Sequence, residues 1–274
     1  MIVTLLTDYG REDDFVGVCH GVIRSIAPDV PIVDVTHGIP RYAVRHGALV
    51  MRNTLPYMPA GVHMAVVDPQ VGTERRGVAL RCHDGRLLVG PDNGLLSLAW
   101  ERAGGVDLAV DVSRSPHRLE PVSATFHGRD LFAPVAAHLA IGAELADAGE
   151  PLDPSSLATV ELPQPRRDED GALVAHVLTV DQFGNVTLDV THATLAPHDG
   201  AQGGTGLTLG GKVELEAGGE RFIATYATTF ADVRPGEPLV YQDAYRMLAV
   251  AINRGDACTT LGLSPDAELR LRPR

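Results

Sequence analysis

The sequence predicts a two-domain protein: an N-terminal α/β domain with a mostly parallel sheet, followed by a smaller, barrel-like all-β domain. Short apolar runs alternate with stretches of helical periodicity in the first half, and strand-like runs separated by turns fill the second half. A proline-rich stretch lies between the two patterns. Alternating β and α elements are typical of parallel sheets covered by helices, whereas successive short strands are typical of antiparallel barrels.

The first domain, residues 1–150, is predicted from short β-rich runs that stop at polar residues and from apolar residues at helical spacing. Strands are predicted over residues 2–7, 31–36, 62–67, 77–81 and 87–89. Helices are predicted over residues 15–26, 42–55 and 129–141, with a short helix after the turn at 90–94. The dipeptide Asp84-Gly85 favours a tight hairpin turn between the last two strands.

Residues 151–168 contain four prolines and few apolar residues, and they are predicted to link the domains. The second domain, residues 169–274, has strand periodicity with Gly- and Pro-containing turns and no convincing amphipathic helix among its strands. Its strands are predicted over residues 173–180, 186–190, 213–217, 222–225, 239–241 and 245–252.

Composition excludes several classes of function. The net charge of -12 and the lack of a basic block argue against a nucleic-acid partner. No run is long enough to span a membrane, and the first residues lack the features of an export signal. Three widely spaced cysteines suggest neither disulfides nor a zinc site, so we expect a cytoplasmic protein with no metal ligands.

Polar residues follow three predicted strands directly: Asp8, His37 and Asp68. Ligands bind near the carboxyl ends of parallel strands, so these positions are candidates for a site. A capping or turn role is the alternative for each of them.

Two loops carry further candidates. The segment VVDPQVGTERR can fold Arg75 back onto Asp68, and its alternative interpretation is a surface ion pair. In TFHGRD, His127 precedes a helix and can act as a general base or hold a water, although a histidine at a helix start often has no function.

The segment VDQFGNVTL places Asp181, Phe183 and Asn185 on a turn between two strands. An aromatic face beside polar groups suits a purine nucleoside or an amino acid, but the same residues also form ordinary hairpin turns. Glycine-rich nucleotide loops, HExxH and GxSxG are missing from the sequence, and so is an acidic cluster with metal-ligand spacing.

Taken together, the ordered segments resemble the S-adenosylmethionine hydrolase family, also called SAM hydroxide adenosyltransferases, which are related to the fluorinase and chlorinase. The matching segments are TLLTDYGREDDFVG, DVTHGIPRY, VVDPQVGTERR, VGPDNGLLS, TFHGRDLFAPVAAHLA, VDQFGNVTL and AYRMLAVAIN. They extend over nearly the whole chain, which makes the resemblance far more specific than any single motif.

The resemblance implies a trio that handles the attacking water, and the matching positions are Asp68, Arg75 and His127. It implies that Asp8 binds the ribose hydroxyls and that Tyr42 lies over the substrate. The remaining substrate-binding positions are Asp13, Phe126, Gly128, Asp181, Phe183, Asn185, Ala244, Tyr245 and Ile252. The resemblance further implies a homotrimer with sites between subunits.

The sequence departs from the family pattern at two places. Gln70 stands where glycine is common, and Ala244-Tyr245-Arg246 stands where a serine-aromatic-glycine run is common. Ala244 removes a hydroxyl and Arg246 adds a charge, so affinity is affected more than reaction class.

The implied chemistry is displacement at the ribose C5′ by water, giving adenosine and methionine. The sulfonium of S-adenosylmethionine leaves as a neutral thioether, so the reaction needs neither a general acid nor a cofactor. Residue types alone leave open whether Asp68 or His127 accepts the water's proton. One alternative is a halogenase, which Asp68 disfavours because a carboxylate repels halide. Another is a non-catalytic nucleoside-binding protein, which would not need the trio.

Overall fold

The computed structural model describes residues 1–191 and 206–274, and these form two domains, Met1–Val160 and Glu161–Arg274. The division falls inside the segment 151–168 that is predicted to be a linker. Leu152 at its start pairs with the sheet of the first domain, whereas Arg166 near its end pairs with a strand of the second. The segment is therefore divided between the two domains.

The first domain is built on a seven-stranded sheet in the order β2-β1-β3-β5-β4-β6-β7. The strands are β1 Ile2–Thr7, β2 Ile32–Thr36, β3 Gly61–Val66, β4 Gly77–Cys82, β5 Leu87–Pro91, β6 Val106–Asp111 and β7 Glu150–Leu152. The strands β2, β1, β3 and β5 are parallel, and β4, β6 and β7 extend the sheet in antiparallel fashion. The predicted α/β domain is confirmed.

Helices cover both faces of this sheet. They are α1 Phe15–Ile26, α2 Val44–Thr54, α3 Ser97–Arg102 and α4 Ala133–Ala140. Within β1, Val3 and Leu5 pack in the core that α1 and α4 share, while Leu6 packs in the core on the other side. Strands buried on both faces read as continuous apolar runs, as β1 and β3 do. No helix in residues 1–191 and 206–274 is long and apolar enough to cross a membrane.

The helix predicted over residues 129–141 has two parts. A single π-helical turn spans Gly128–Phe132, and the α-helix α4 begins only at Ala133. Such π-turns often lie at functional sites. Two strands of this domain, β6 and β7, are not among the predicted ones.

The second domain is a barrel, as predicted. Its strands are β8 Arg166–Arg167, β9 Leu173–Val180, β10 Val186–Thr191, β11 Lys212–Ala217, β12 Glu220–Tyr226, β13 Pro238–Gln242, β14 Met247–Ile252 and β15 Glu268–Pro273. Pairing between β9 and β10 closes β9 to β15 into a ring of seven strands, which leaves β8 as an extra pairing on β9. Closure removes the exposed sheet edges that would otherwise invite aggregation.

Alternate residues of the barrel strands fill its interior, for example Val250 of β14 and Leu271 of β15. Strand β15 is not among the predicted strands, although its sequence ELRLRP alternates leucine with arginine. A short helix, α5 Ala257–Leu261, lies between β14 and β15.

We expect the first domain to lose stability in acid because of a buried histidine. His63 is 1% exposed in β3, and its Nδ1 lies 3.0 Å from Thr4 Oγ1. Burial, and then the charge of Arg86, lower the pKa of His63 to about 4. The unfolded chain binds a proton near pH 6.5, so the His63 contribution is present above that pH and is lost as pH falls toward the native value.

The measurement is the free energy of unfolding in urea at pH 7.5 and pH 5 for the parent and for His63→Asn. We expect the parent to lose about 2 kcal/mol more than the variant between these pH values. All other titrating groups are common to both proteins. Equal losses would show that His63 does not cause the acid sensitivity.

Candidate active site

Asp68 and Arg75 form a buried, two-point ion pair at the carboxyl end of β3. Arg75 donates from Nε to Asp68 Oδ1 at 3.1 Å, and from Nη2 to Asp68 Oδ2. The side chains are 5% and 3% exposed respectively, so this pair is not the surface ion pair of the alternative interpretation. The Arg75 guanidinium also lies 5.5 Å from the ring centroid of Phe132. Bidentate pairing fixes the carboxylate in one orientation.

The same guanidinium holds His127. Arg75 Nη2 lies 3.0 Å from His127 Nδ1. Because a guanidinium has donors and no acceptor, Nδ1 must accept this hydrogen bond, and neutral His127 then carries its proton on Nε2. Burial, and next the charge of Arg75, lower the pKa of His127. His127 is therefore a neutral imidazole that presents an N–H donor from Nε2.

Close backbone approach brings the two loops together. Gly72, in the loop between Asp68 and Arg75, has φ +80°, and a Cβ built on it would lie 2.4 Å from the Ala124 carbonyl oxygen. Only glycine allows this contact. On the other loop, His127 directly precedes the π-helical turn and its backbone has helical angles. The trio thus comes from loops that are held together by backbone contacts.

Asp8 lies at the same end of the sheet, after β1, the central neighbour of β2 and β3. Its Oδ2 accepts a hydrogen bond from the backbone N–H of Tyr42 at 3.1 Å. Burial is the main cause that raises the pKa of Asp8, and the charge of Asp68 acts in the same direction. Tyr42 has φ 67° and is 69% exposed. A positive φ in a tyrosine is a strained conformation that often marks a functional position.

Three aromatic rings pack beside the trio. Tyr9 lies 5.7 Å from Phe15 and 5.8 Å from Phe126, measured between ring centroids. A Cβ built on Gly128, one of the predicted substrate-binding positions, would lie 2.1 Å from the Tyr9 hydroxyl, so it is Tyr9 that approaches this glycine closely. Asp13, another predicted binding residue, is exposed in the segment before α1.

In the barrel, Asp181 organises the turn between β9 and β10. Its Oδ1 accepts hydrogen bonds from the backbone N–H groups of Phe183 at 2.8 Å and Asn185 at 2.9 Å. Its Oδ2 accepts from the Asn185 amide at 2.8 Å. The Phe183 ring is 67% exposed. Hydrogen bonds between Asp181 and Asn185 therefore stabilise the turn, and the Phe183 ring is exposed on it.

A second turn, between β13 and β14, has the same construction. Asp243 Oδ1 accepts from the backbone N–H groups of Tyr245 at 2.8 Å and Met247 at 2.9 Å. Tyr245 is 46% exposed, and Ala244 beside it is also exposed. Each turn therefore holds an exposed aromatic residue two positions after the organising aspartate.

The third position after each aspartate has a left-handed backbone. It is Gly184 at φ 77° in the first turn and Arg246 at φ 64° in the second. Glycine adopts this conformation without strain, which is a physical reason for the glycine that is common in the family at the position of Arg246. At this position the sequence therefore has a residue for which the left-handed backbone is strained.

Further candidates in the barrel escaped the sequence analysis. Thr187 Oγ1 donates to Asp243 Oδ2 at 3.3 Å, and burial together with the charges of Asp181 and Asp243 raises the pKa of Tyr241 to about 12. Thr187 and Tyr241 lie on strands, where the sequence pattern does not distinguish a functional polar side chain from an ordinary outward-facing one, and Asp243 directly follows β13. Ile252, by contrast, is 8% exposed and packs in the barrel core.

These features define a two-domain class of protein: an α/β domain and a β-barrel, with a buried carboxylate, guanidinium and imidazole at the carboxyl ends of parallel strands. Comparison with known families gives the particular family. Residues 3–149 match the SAM hydroxide adenosyltransferase N-terminal domain, and residues 175–270 match the C-terminal domain of the same family. The chain belongs to the SAM hydroxide adenosyltransferase family.

Individual relatives extend over almost the whole chain. A protein of Salinispora tropica named (R)-S-adenosyl-L-methionine hydrolase is 47% identical, over 98% of this chain and 97% of its own. A fluorinase of an Actinoplanes species is 30% identical over 92% and 91% of the two chains. A crystal structure of an uncharacterised conserved protein from Thermotoga maritima has a TM-score of 0.87 and 32% identity, covering 99% of this chain and 100% of that one.

Proposed function

We propose that the protein hydrolyses S-adenosyl-L-methionine at the ribose C5′ and releases adenosine and L-methionine. The observation that carries the proposal is the buried cluster in which Arg75 holds both Asp68 and His127. A halogenase needs a pocket that accepts an anion, and the Asp68 carboxylate opposes one. The greater identity to the hydrolase relative than to the fluorinase supports the same reaction.

In the proposed mechanism the water oxygen forms a bond to C5′ as the C5′–S bond breaks. The bonding electrons go to sulfur, so methionine leaves as a neutral thioether and needs no proton. The proton lost by water goes to Asp68, whose carboxylate keeps two lone-pair positions beyond those that Arg75 uses. Placing the nucleophile in line with the breaking bond supplies much of the rate.

His127 serves a different purpose in this mechanism. With Nδ1 accepting from Arg75, His127 is poor as a base, since the remaining nitrogen already carries a proton. Its Nε2–H instead donates a hydrogen bond to the water oxygen and fixes its direction. Arg75 holds Asp68 and His127 in register and stabilises the developing hydroxide character.

We propose that residues of both domains bind the substrate. Asp8 accepts hydrogen bonds from the ribose hydroxyls, and Tyr42 covers the nucleoside. In the barrel, Phe183 and Tyr245 offer exposed ring faces for adenine, as aromatic side chains commonly do for planar ligands. The polar groups of their turns, Asn185 among them, bind the polar edges.

The substrate is proposed to be the (R) epimer at sulfur. The Salinispora tropica relative is named for that epimer. The two epimers place the methyl and 3-amino-3-carboxypropyl groups differently about the sulfonium, so only one of them aligns C5′–S with a fixed water.

The test is product analysis in ¹⁸O-labelled water with the separated (R) and (S) epimers, each with and without chloride or fluoride. We expect adenosine labelled at the 5′-oxygen, formed faster from the (R) epimer and unaffected by halide. A 5′-halo-5′-deoxyadenosine product, or unlabelled adenosine, would contradict the hydrolase. Binding without any product would favour a nucleoside-binding protein.

We further propose a cytoplasmic homotrimer that uses no cofactor. The predicted binding residues lie in two domains, which suits a site completed by association of chains, and the free state of Cys19, Cys82 and Cys258 suits a reducing compartment. The sulfonium leaves as a neutral thioether without further activation, so the chemistry requires no cofactor. Light scattering should give three chains per particle, and a fully active monomer would contradict the assembly.

A further inference from the structure

The geometry points to a binding site for a divalent transition-metal ion on the first domain, formed by His20, Asp34 and His37. His20 Nε2 lies 2.8 Å from Asp34 Oδ1, and His37 Nε2 lies 3.1 Å from the same oxygen. All three ligand atoms lie within 4.8 Å of one another. The group is separate from the trio, and the proposal does not depend on the proposed reaction.

The buried member of the cluster supplies a second, independent observation. The side chain of His37 is 1% exposed, and its Nε2 lies within ion-pair distance of Asp34 Oδ1 but makes no hydrogen bond of good geometry within the part of the chain that the structure describes. A buried nitrogen without a hydrogen bond is costly, so native structures rarely contain one that no ligand or water satisfies. This nitrogen is directed toward Asp34, where an ion would accept its lone pair.

The other ring nitrogen of His37 is held as metal-binding histidines usually are. Its Nδ1 lies 2.8 Å from Thr7 Oγ1. When Nδ1 carries the proton and donates to a neighbouring oxygen, the lone pair of Nε2 is free for a metal. Thr7 therefore fixes the ring orientation, and its hydroxyl can accept the Nδ1–H of the tautomer that a metal ligand needs.

Two imidazoles and one carboxylate are ligands of late first-row ions, with zinc the most common. In a tetrahedral site with metal–ligand bonds of about 2.0–2.1 Å, the ligand atoms are about 3.3 Å apart. Both measured separations from Asp34 Oδ1 are slightly shorter, so small side-chain movements make room for the ion. The side chains of His20 and Asp34 are 33% and 30% exposed, which leaves a path for entry and a position for water.

The ion would connect two parts of the fold. His20 is on α1, whereas Asp34 and His37 lie on and just after β2. The backbone carbonyl oxygen of His37 also accepts a hydrogen bond from the backbone N–H of Gly10 at 2.9 Å, and Gly10 lies in the loop that follows Asp8. Occupancy would therefore stabilise the first domain around the loop that carries Asp8.

The test uses the full chain without a histidine tag, treated with a chelator and then titrated with Co²⁺. Nitrogen and oxygen ligands give Co²⁺ visible d–d absorption without thiolate charge transfer. We expect saturation at one ion per chain, and a rise in Tm of roughly 5–10 °C at saturating Zn²⁺. His20→Ala and Asp34→Asn should each lower the affinity at least about tenfold, because a ligand is lost.

His83→Ala is the matched control, since it removes an exposed histidine elsewhere in the same domain. It should keep the spectrum and the Tm shift. His20 and Asp34 are partly exposed, so their variants should fold, and circular dichroism checks this. The proposed site would be overturned if the Co²⁺ absorption did not saturate, or if His20→Ala and Asp34→Asn left the affinity unchanged. A thiolate charge-transfer band that disappears in Cys258→Ser would overturn it as well.

Discussion

Replacing Asp68 by asparagine is expected to lower kcat by about 10²–10⁴ while KM changes less than tenfold. Asparagine keeps the size of the side chain but cannot accept the proton that water loses. The charge of that proton acceptor matters as the transition state forms, so its removal acts on kcat more than on binding. The measurement is steady-state hydrolysis of S-adenosylmethionine, normalised to folded protein.

Variants of His127 separate the two possible proton acceptors. His127→Gln provides an amide N–H near the position of Nε2 but no base, so we expect it to retain kcat within about tenfold of the parent. If His127 were the base, this variant would fall by the full general-base factor of about 10²–10⁴. His127→Ala removes the donor as well and should be the slower of the two.

Phe183→Ala is the matched contrast in the barrel, because it removes an exposed ring and no proton acceptor. Stacking acts equally before and during the reaction, so this variant should raise KM with little change in kcat. The melting temperature of every variant is measured on the same preparation. An Asp68→Asn enzyme with near-parental kcat would remove Asp68 from the mechanism.

Gly184→Ala is expected to destabilise the barrel by about 3 kcal/mol or more. The residue has φ +77°, and its Cβ would lie 2.2 Å from Asp256 Oδ1 and 3.0 Å from the Asp256 Cα. The backbone strain and the clash therefore add. Because Asp256 caps α5 by accepting from Thr259 N–H at 2.8 Å, moving it also weakens that helix.

Gly171→Ala is the control, since Gly171 also has a positive φ, +81°, but open space where the Cβ would lie. It should cost only the backbone term, about 1–2 kcal/mol. Urea unfolding of both variants gives the difference, which isolates the contact with Asp256. Equal losses would show that the clash is relieved without cost.

The sequence alone predicted much of the first domain, because its signals are local. Strands β1 and β3 are apolar runs that end at polar residues, and α1 has apolar residues at helical spacing. The rule that ligands gather at strand ends singled out Asp8 and Asp68 before any geometry was known.

Other elements escaped because their signals are weak or depend on partners. Strand β15 closes the barrel between β9 and β11, and its half-buried arginines dilute its apolar pattern. The π-helical turn at Gly128–Phe132 differs from an α-helix in hydrogen-bond partner rather than in residue type. Helical periodicity does not distinguish the two over five residues.

The sequence by itself determined the two domain classes and the identities of the residues that can carry the chemistry. The tertiary structure decided which of those residues meet and in what geometry. Arg75 and His127 are 52 residues apart, yet their contact fixes the His127 tautomer, which is why we propose Asp68 as the proton acceptor. His20 and Asp34, 14 residues apart, likewise meet only through the fold. Sequence periodicity depends on residues that are near one another in the chain. A tautomer or a metal site depends on atoms that are far apart in the sequence and within hydrogen-bonding distance in the fold.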